Sequence, residues 1–194
     1  FIDNIILNIP GIHNVQNALG AIAIADELNI PIEKIKSGLA KYTGVRRRFQ
    51  IVEKMKDGTV LVDDYAHHPA EVRATLECVK NGWNNRLVSI FQPHLFSRTR
   101  DFHKEFAEAF TQSDIAIFTD IYPARELPLE GIDSELIKSK VTIANKSVVA
   151  KADLMNTISE KNIEVLLTMG AGDIDVFVQP IKEQLTKELE QINE

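Results

Sequence analysis

Apolar and polar positions along the chain fall into a repeating order, in which short apolar runs are each followed by an amphipathic stretch. Residues 1–9 alternate loosely and predict a strand, which Pro10 and Gly11 end. "HNVQNALGAIAIADELN" follows with alanine and isoleucine at helical spacing. "IPIEKIKSGLAKY" then places Ile32, Ile35 and Leu39 on one helical face, with Pro31 preset for a first helical turn. A glycine and three consecutive arginines in "TGVRRRFQIV" mark a domain boundary.

Beyond that boundary "TVLVDDY", "RLVSIFQ" and "IAIFTDIY" read as buried strands, separated by helices from Pro69 to about Lys80 and from about Thr99 to Gln112. The rhythm continues through "DSELIKSKV", "SVVA", "DLMNTISEK" and "EVLLTMGAGD" to a final charged helix ending in "KEQLTKELEQINE". This alternation predicts an α/β fold: a Rossmann-like, doubly wound, mostly parallel sheet with helices on both faces at 46–194, preceded by a short helical unit at 1–45.

Composition narrows the function. A 44% hydrophobic chain of 194 residues can bury a core. Its 22 lysines and arginines stand against 28 aspartates and glutamates, a net charge of -6, so a bound nucleotide must be held by local groups. A nucleic-acid partner is not expected. One cysteine, Cys78, rules out a disulfide framework and makes the cytoplasm the expected compartment. No apolar run reaches the roughly 18 residues of a membrane span, and no secretory leader is visible. The chain opens mid-pattern, as though cut from something longer.

In an open α/β sheet, ligands sit outside the carboxyl ends of the strands. The candidate chemistry lies there. After Val60–Val62 come Asp63, Asp64, Tyr65, His67 and His68, with Pro69 in the first helical turn and Glu71 placed to favour the helix dipole. Helix-terminal N–H groups and imidazoles can hold phosphate oxygens, and an ionised aspartate can accept from ribose hydroxyls. The competing account is that Asp63 and His68 only cap and bond the turn. After the second strand, "FQPHLFSRTRD" sets Arg98 and Arg100 at a helix start, where forked guanidiniums suit phosphate or carboxylate.

Phe102, Phe106 and Phe110 recur at helical spacing and belong to the core. Histidine-bound zinc is disfavoured because the adjacent histidines diverge and no cysteine pair helps; magnesium carried with nucleotide phosphates is expected instead. Within "RRRF" an arginine reaching a nucleotide at the domain boundary is a better account than a basic patch. "GAGD" at 170–173 is either a phosphate turn or a tight strand-to-helix turn. Asn14 and Asn17, three residues apart on one helical face, offer the paired donor and acceptor that read an adenine edge.

Taken together, "GIHNVQNALGAIAIA", "RRF", "LVDDYAHHPAEV", "FQPHLFSRTRDF", "YPARELPLEGIDSELI" and "TMGAGDID", in that order and spacing, resemble the Mur ligases over essentially the whole chain. The resemblance implies a bacterial, cytoplasmic, ATP-dependent amide ligase of peptidoglycan synthesis. Its substrates would be UDP-N-acetylmuramate and L-alanine, its intermediate an acyl phosphate and its cofactors ATP and Mg2+. Residues 1–45 would close a central ATP-binding domain and 46–194 would form the C-terminal Rossmann-like ligase domain. The N-terminal and central domains of the same protein would be its partners, with no nucleic acid and no membrane.

By the same resemblance Asn14 and Asn17 match residues at the adenine, and Arg48 one that enters the ATP site. Asp64 matches an aspartate near the ribose, with Tyr65 beside it as a nucleotide contact. His67 matches a histidine facing the transferring phosphate, and Arg98 and Arg100 match strand-end arginines near substrate. The catalytic pair implied is His67 and Arg98; His68 and Arg100 are implied to touch substrate. No protein metal ligand is implied. Relatives often carry arginine at the position of Leu95, so contacts attributed there do not transfer.

No G-x-x-x-x-G-K-[ST] loop occurs, and no glycine precedes a lysine. The chain is therefore expected to be a C-terminal piece, folded but catalytically silent alone. Two other readings stand beside this one: a ligase that recycles a tripeptide onto UDP-N-acetylmuramate, and a non-catalytic nucleotide-binding module. The second calls for a G-x-G-x-x-G turn after the first strand, where "DDYAHHP" stands instead.

Overall fold

The computed structural model describes residues 3–159 and 163–192. Two helices, α1 (Ile12–Glu27) and α2 (Ile32–Lys41), lead into an edge strand β1 (Gln50–Lys54) and then β2 (Val60–Asp64). There follow α3 (Pro69–Gly82), β3 (Leu87–Phe91), α4 (Phe96–Ala109), β4 (Ile115–Phe118), α5 (Ser134–Lys138) and β5 (Lys146–Val148). The chain closes with α6 (Leu154–Ser159), β6 (Val165–Met169) and α7 (Val178–Ile192).

The six strands form one sheet in the order β1-β2-β6-β3-β4-β5, parallel except for β1, which pairs antiparallel with β2. Period-two alternation assigns the two faces. Val60, Val62, Leu87 and Phe91 pack with Leu76 of α3, Phe106 of α4 and Ile137 of α5. Leu61, Val88, Ile90 and Leu166 point the other way, onto Leu154 and Ile158 of α6 and Ile181 and Leu185 of α7. Phe91 meets Phe106 at 5.1 Å and Phe110 at 5.4 Å between ring centroids, and Phe110 meets Phe118 at 4.9 Å. Such pairs each add about 0.5–1.5 kcal/mol beyond the area they bury.

Strand order is what places the site. β6 lies between β2 and β3, yet its chain leaves toward α7 on one face while β2 and β3 leave toward α3 and α4 on the other. The connections diverge at the carboxyl ends of these three strands, and a crevice opens there.

Three expectations need correction. Residues 3–9 are not a strand, and residues 1–2 lie outside the described residues. An isolated extended segment needs a ladder partner, and this one instead lies against α2, through the Asn8 amide on the Ala40 carbonyl and Lys36 on Asp3 at 3.2 Å. Pro31 caps α2 from outside its first turn. α4 begins at Phe96, three residues earlier than the pattern placed it, because Glu126 from a distant loop accepts from the Ser97 backbone N–H at 2.9 Å and caps the helix in trans.

Candidate functional site

Asp63 and Asp64 do not project beyond β2, as expected from the sequence, but are its last two residues, and both are buried. A carboxylate survives there only with donors. Thr168 on β6 donates to Asp63 at 2.6 Å, and Arg47 stands 3.5 Å from it. Thr75 of α3 donates to Asp64 at 2.8 Å, and the Ala66 N–H does so at 3.0 Å. Burial raises both carboxyls above the ordinary aspartate range, the hydroxyl donors opposing it without prevailing. Asp64 thus caps the turn and lines the crevice at once.

The turn after β2 separates the two histidines. Glu71 accepts from the backbone N–H of His67 at 3.0 Å and of His68 at 3.2 Å, closing the first turn of α3. Burial acts to raise the Glu71 carboxyl, but these donors, with the nearby His67 ring and the Arg48 guanidinium, outweigh it and hold it below the usual range. The His67 Nδ1 lies 2.9 Å from the Tyr65 carbonyl and 3.2 Å from Glu71. Both neighbours only accept, so Nδ1 carries the proton and Nε2 is left without a partner among the described residues. The His68 ring instead packs on Phe102 at 5.2 Å, in a groove of about 400 Å³ between α3 and α4.

Across the crevice, Arg98 donates to the His67 carbonyl at 3.3 Å, so the turns after β2 and β3 meet. Arg100 turns away, held by Asp101 at 2.7 Å on the exposed side of α4. Leu95 stands at the α4 cap with φ of 73°. His94, which the sequence reading passed over, lies 5.6 Å from the His67 ring and stacks on Tyr122 at 5.7 Å. Burial, then the neighbouring His67 ring and the Arg98 guanidinium, lower its pKa below the usual imidazole range.

A cleft of about 540 Å³ brings Asn14, Asn17, Arg48 and Asp64 onto one lining. α1 reaches it because Gly11, at φ of 100°, turns the chain where an added Cβ would strike the His13 ring at 2.6 Å and approach Cys78 of α3 at 3.4 Å. Asn14 spends its amide N–H on the Pro10 carbonyl at 2.6 Å and keeps its oxygen, while Asn17 is exposed. Arg48 is 58% exposed, 3.9 Å from Glu71 and 5.7 Å from the Tyr65 ring centroid. An adjoining groove of about 390 Å³ shares both asparagines and is lined on its far side by Leu7, Ile9 and Leu39. Amide, cation and carboxylate lining one cleft, beside an apolar pocket, suit a nucleoside and its phosphates.

The "GAGD" turn is committed to packing. A Cβ on Gly172 would fall 2.4 Å from both Gln92 and Tyr122, and Asp173 accepts from Gln92 at 2.6 Å and from Lys151 at 2.7 Å. No cluster of three or more His, Cys, Asp or Glu side chains gathers among the described residues where a metal could sit, and no described helix is long and apolar enough to cross a membrane.

Comparison with known proteins bears on the family and the fold. The family model described as Mur ligase, glutamate ligase domain, matches residues 47–173. The chain is 46% identical over 181 residues to the UDP-N-acetylmuramate–L-alanine ligase of Cytophaga hutchinsonii, covering 93% of this chain and 39% of that protein. It is 45% identical to the ligase of the same name from Flavobacterium johnsoniae, over 93% of this chain and 40% of that one. It therefore spans about two fifths of the length of these curated relatives. Among solved structures, the UDP-N-acetylmuramate-alanine ligase of Thermotoga maritima superimposes with a TM-score of 0.79 at 30% identity, over 94% of this chain and 40% of that one. A murein peptide ligase from Psychrobacter arcticus shares the fold at a TM-score of 0.66 and 22% identity, over 94% and 38%. With a six-stranded sheet that is parallel except for β1, a two-helix lead-in and the matched stretch running from the arginine linker to the turn after β6, the chain belongs to the Mur ligase family.

Proposed function

We propose that this chain is the C-terminal portion of a bacterial, cytoplasmic, ATP-dependent ligase that joins L-alanine to UDP-N-acetylmuramate. Residues 1–45 end its central ATP-binding domain and 46–194 form its C-terminal ligase domain. The uncovered apolar side chains of α1, among them Ile12, Leu19 and Ile24, support that division, since a helix inside a larger layer carries apolar residues on more than one side. The observation that carries the functional reading is the cleft lined by Asn14, Asn17, Arg48 and Asp64; His67, bonded through its carbonyl to Arg98, follows Asp64 in the turn after β2.

In this reading the two asparagines read the adenine edge, and the remaining lone pairs of Asp64 accept from the ribose. Arg48 pairs with phosphate oxygens across Tyr65. A carboxylate oxygen of the muramyl group attacks the γ-phosphorus and ADP leaves; the alanine nitrogen then attacks the acyl carbon, and inorganic phosphate leaves. Each step crowds negative charge, which fixed donors relieve. His67, its ring oriented by the Nδ1–H bond to the Tyr65 carbonyl, turns Nε2 toward the transferring group as a site that can take up a proton, and Arg98, bonded to the His67 carbonyl, is the fixed cationic donor. His68 and Arg100 would meet substrate at the outer margin. Asp64 and Glu71 are committed to internal donors, so this chain's residues do not by themselves fit a magnesium site. Mg2+ bound with ATP would supply charge neutralisation, and the described residues of this chain would not be the ones to hold it.

The competing acceptor is a tripeptide. Incubating the full-length protein with ATP, UDP-N-acetylmuramate and either L-alanine or a tripeptide, and measuring phosphate release, separates the two. Release with L-alanine is expected; release only with the tripeptide would move the chain to the recycling ligases. The 194-residue chain alone is expected to give no ATP hydrolysis above background.

A further inference from the structure

Arg47, beside the arginine assigned to the nucleotide, is used nowhere in that mechanism, yet it is tightly anchored. Its guanidinium donates to the Gly170 carbonyl at 2.7 Å, lies 3.3 Å from Asp175 and 3.5 Å from Asp63, and covers the Tyr65 ring at 5.0 Å. These partners come from the end of β2 and from both sides of the turn after β6. Its backbone is fixed too: the N–H donates to Gln50 at 3.0 Å and the carbonyl accepts from the Tyr65 N–H at 2.6 Å.

This anchoring supports an unfavourable conformation. Arg47 has φ of 59° and Phe49 has φ of 46°, left-handed values that a side chain with a Cβ resists. Phe49 is held in turn by stacking on Trp83 at 6.3 Å. Arg48 sits between these two fixed residues; its N–H donates to the Val45 carbonyl at 3.1 Å, and its side chain has Glu71 at 3.9 Å and the Tyr65 face among the described residues. The direction of Arg48 is therefore set by its neighbours, and such strain persists only where the surroundings over-determine it.

We propose that Arg47 is a positioning residue: it locks the linker between α2 and β1 into the backbone course that aims Arg48 into the cleft, and its guanidinium, like that of Arg48, lies over the Tyr65 ring. The inference rests on the nucleotide reading of Arg48 and adds the residue that makes that reading geometrically possible. A lysine keeps the charge but cannot span three anchors with a planar fork.

A double-mutant cycle on the full-length ligase tests it, with KM for ATP and kcat read separately. Arg47→Lys, with Trp83 emission and Tm close to the parent's, is expected to raise KM for ATP about tenfold and to change kcat less than about twofold. Arg48→Ala is expected to raise KM comparably, and the double variant no further, because nothing is left to position. Additive effects, or a parental KM for Arg47→Lys, overturn the positioning role while leaving the nucleotide reading intact. A parental KM for Arg48→Ala removes that reading and the inference with it. If Arg47→Lys does not fold, Asp175→Asn loosens one half-exposed anchor in its place. A KM raised about threefold and non-additive with Arg48→Ala supports the role; an unchanged KM overturns it.

Discussion

Asp64 holds its proton more tightly than a solvated aspartate because burial penalises the ionised form, and this gives stability a pH dependence of definite sign. The folded chain keeps protons that the unfolded chain, titrating near 3.8, has already released. The stability this group contributes is therefore full below the unfolded value and lost as pH rises through the folded one. Glu71 and Asp173, whose carboxyls are lowered, contribute with the opposite sign, so a comparison of variants is needed to isolate Asp64. In urea titrations from pH 4 to 7, Asp64→Asn is expected to show a flatter loss of unfolding free energy than the parent; parallel profiles would contradict the account. At this scale the sequence was informative about residue type and mute about direction. The crowding of carboxylates and imidazoles in "DDYAHHP" marked the turn, but nothing in it told that the His67 ring lies against Tyr65 and His94 while His68 packs on Phe102, since that depends on the cap made by Glu71. Arg47 was hidden in a run of three arginines, because its left-handed φ leaves no trace in residue type.

The elements were legible where their cause is local. Period-two and period-3.6 patterns depend on neighbours along the chain, and α1, α3 and the buried strands follow them. Errors fell where a distant group decides: Glu126 starts α4 early, and residues 3–9 have no ladder partner among the described residues. Strand order was not legible either, because β6 pairs with β2 and β3 across about a hundred residues, and placing it there brings its glycine turn under both neighbouring turns. The narrow fit of that turn is testable. Gly172→Ala, with a Cβ 2.4 Å from Gln92 and Tyr122, must displace one of them and is expected to cost about 1–3 kcal/mol, read as a lower Tm. A Tm within a degree of the parent's would mean that the turn has more room than the packing allows.

At the scale of the whole molecule, the α1–α2 pair and the sheet matter as two walls. In the proposed reading neither binds a nucleotide alone: the asparagines are on one, the arginine linker and Asp64 on the other, and the start of α1 at Gly11 lies close to Cys78 of α3. The net charge of -6 makes a global field unhelpful to an anion, so affinity must come from that local convergence. The most direct measurement is photolabelling of the full-length ligase with 8-azido-ATP, followed by peptide mapping. The account predicts ATP-protectable label on peptides from α1 and from residues 42–49; label confined to the α3–α4 groove at His68 and Phe102, or label that ATP does not compete away, would contradict it.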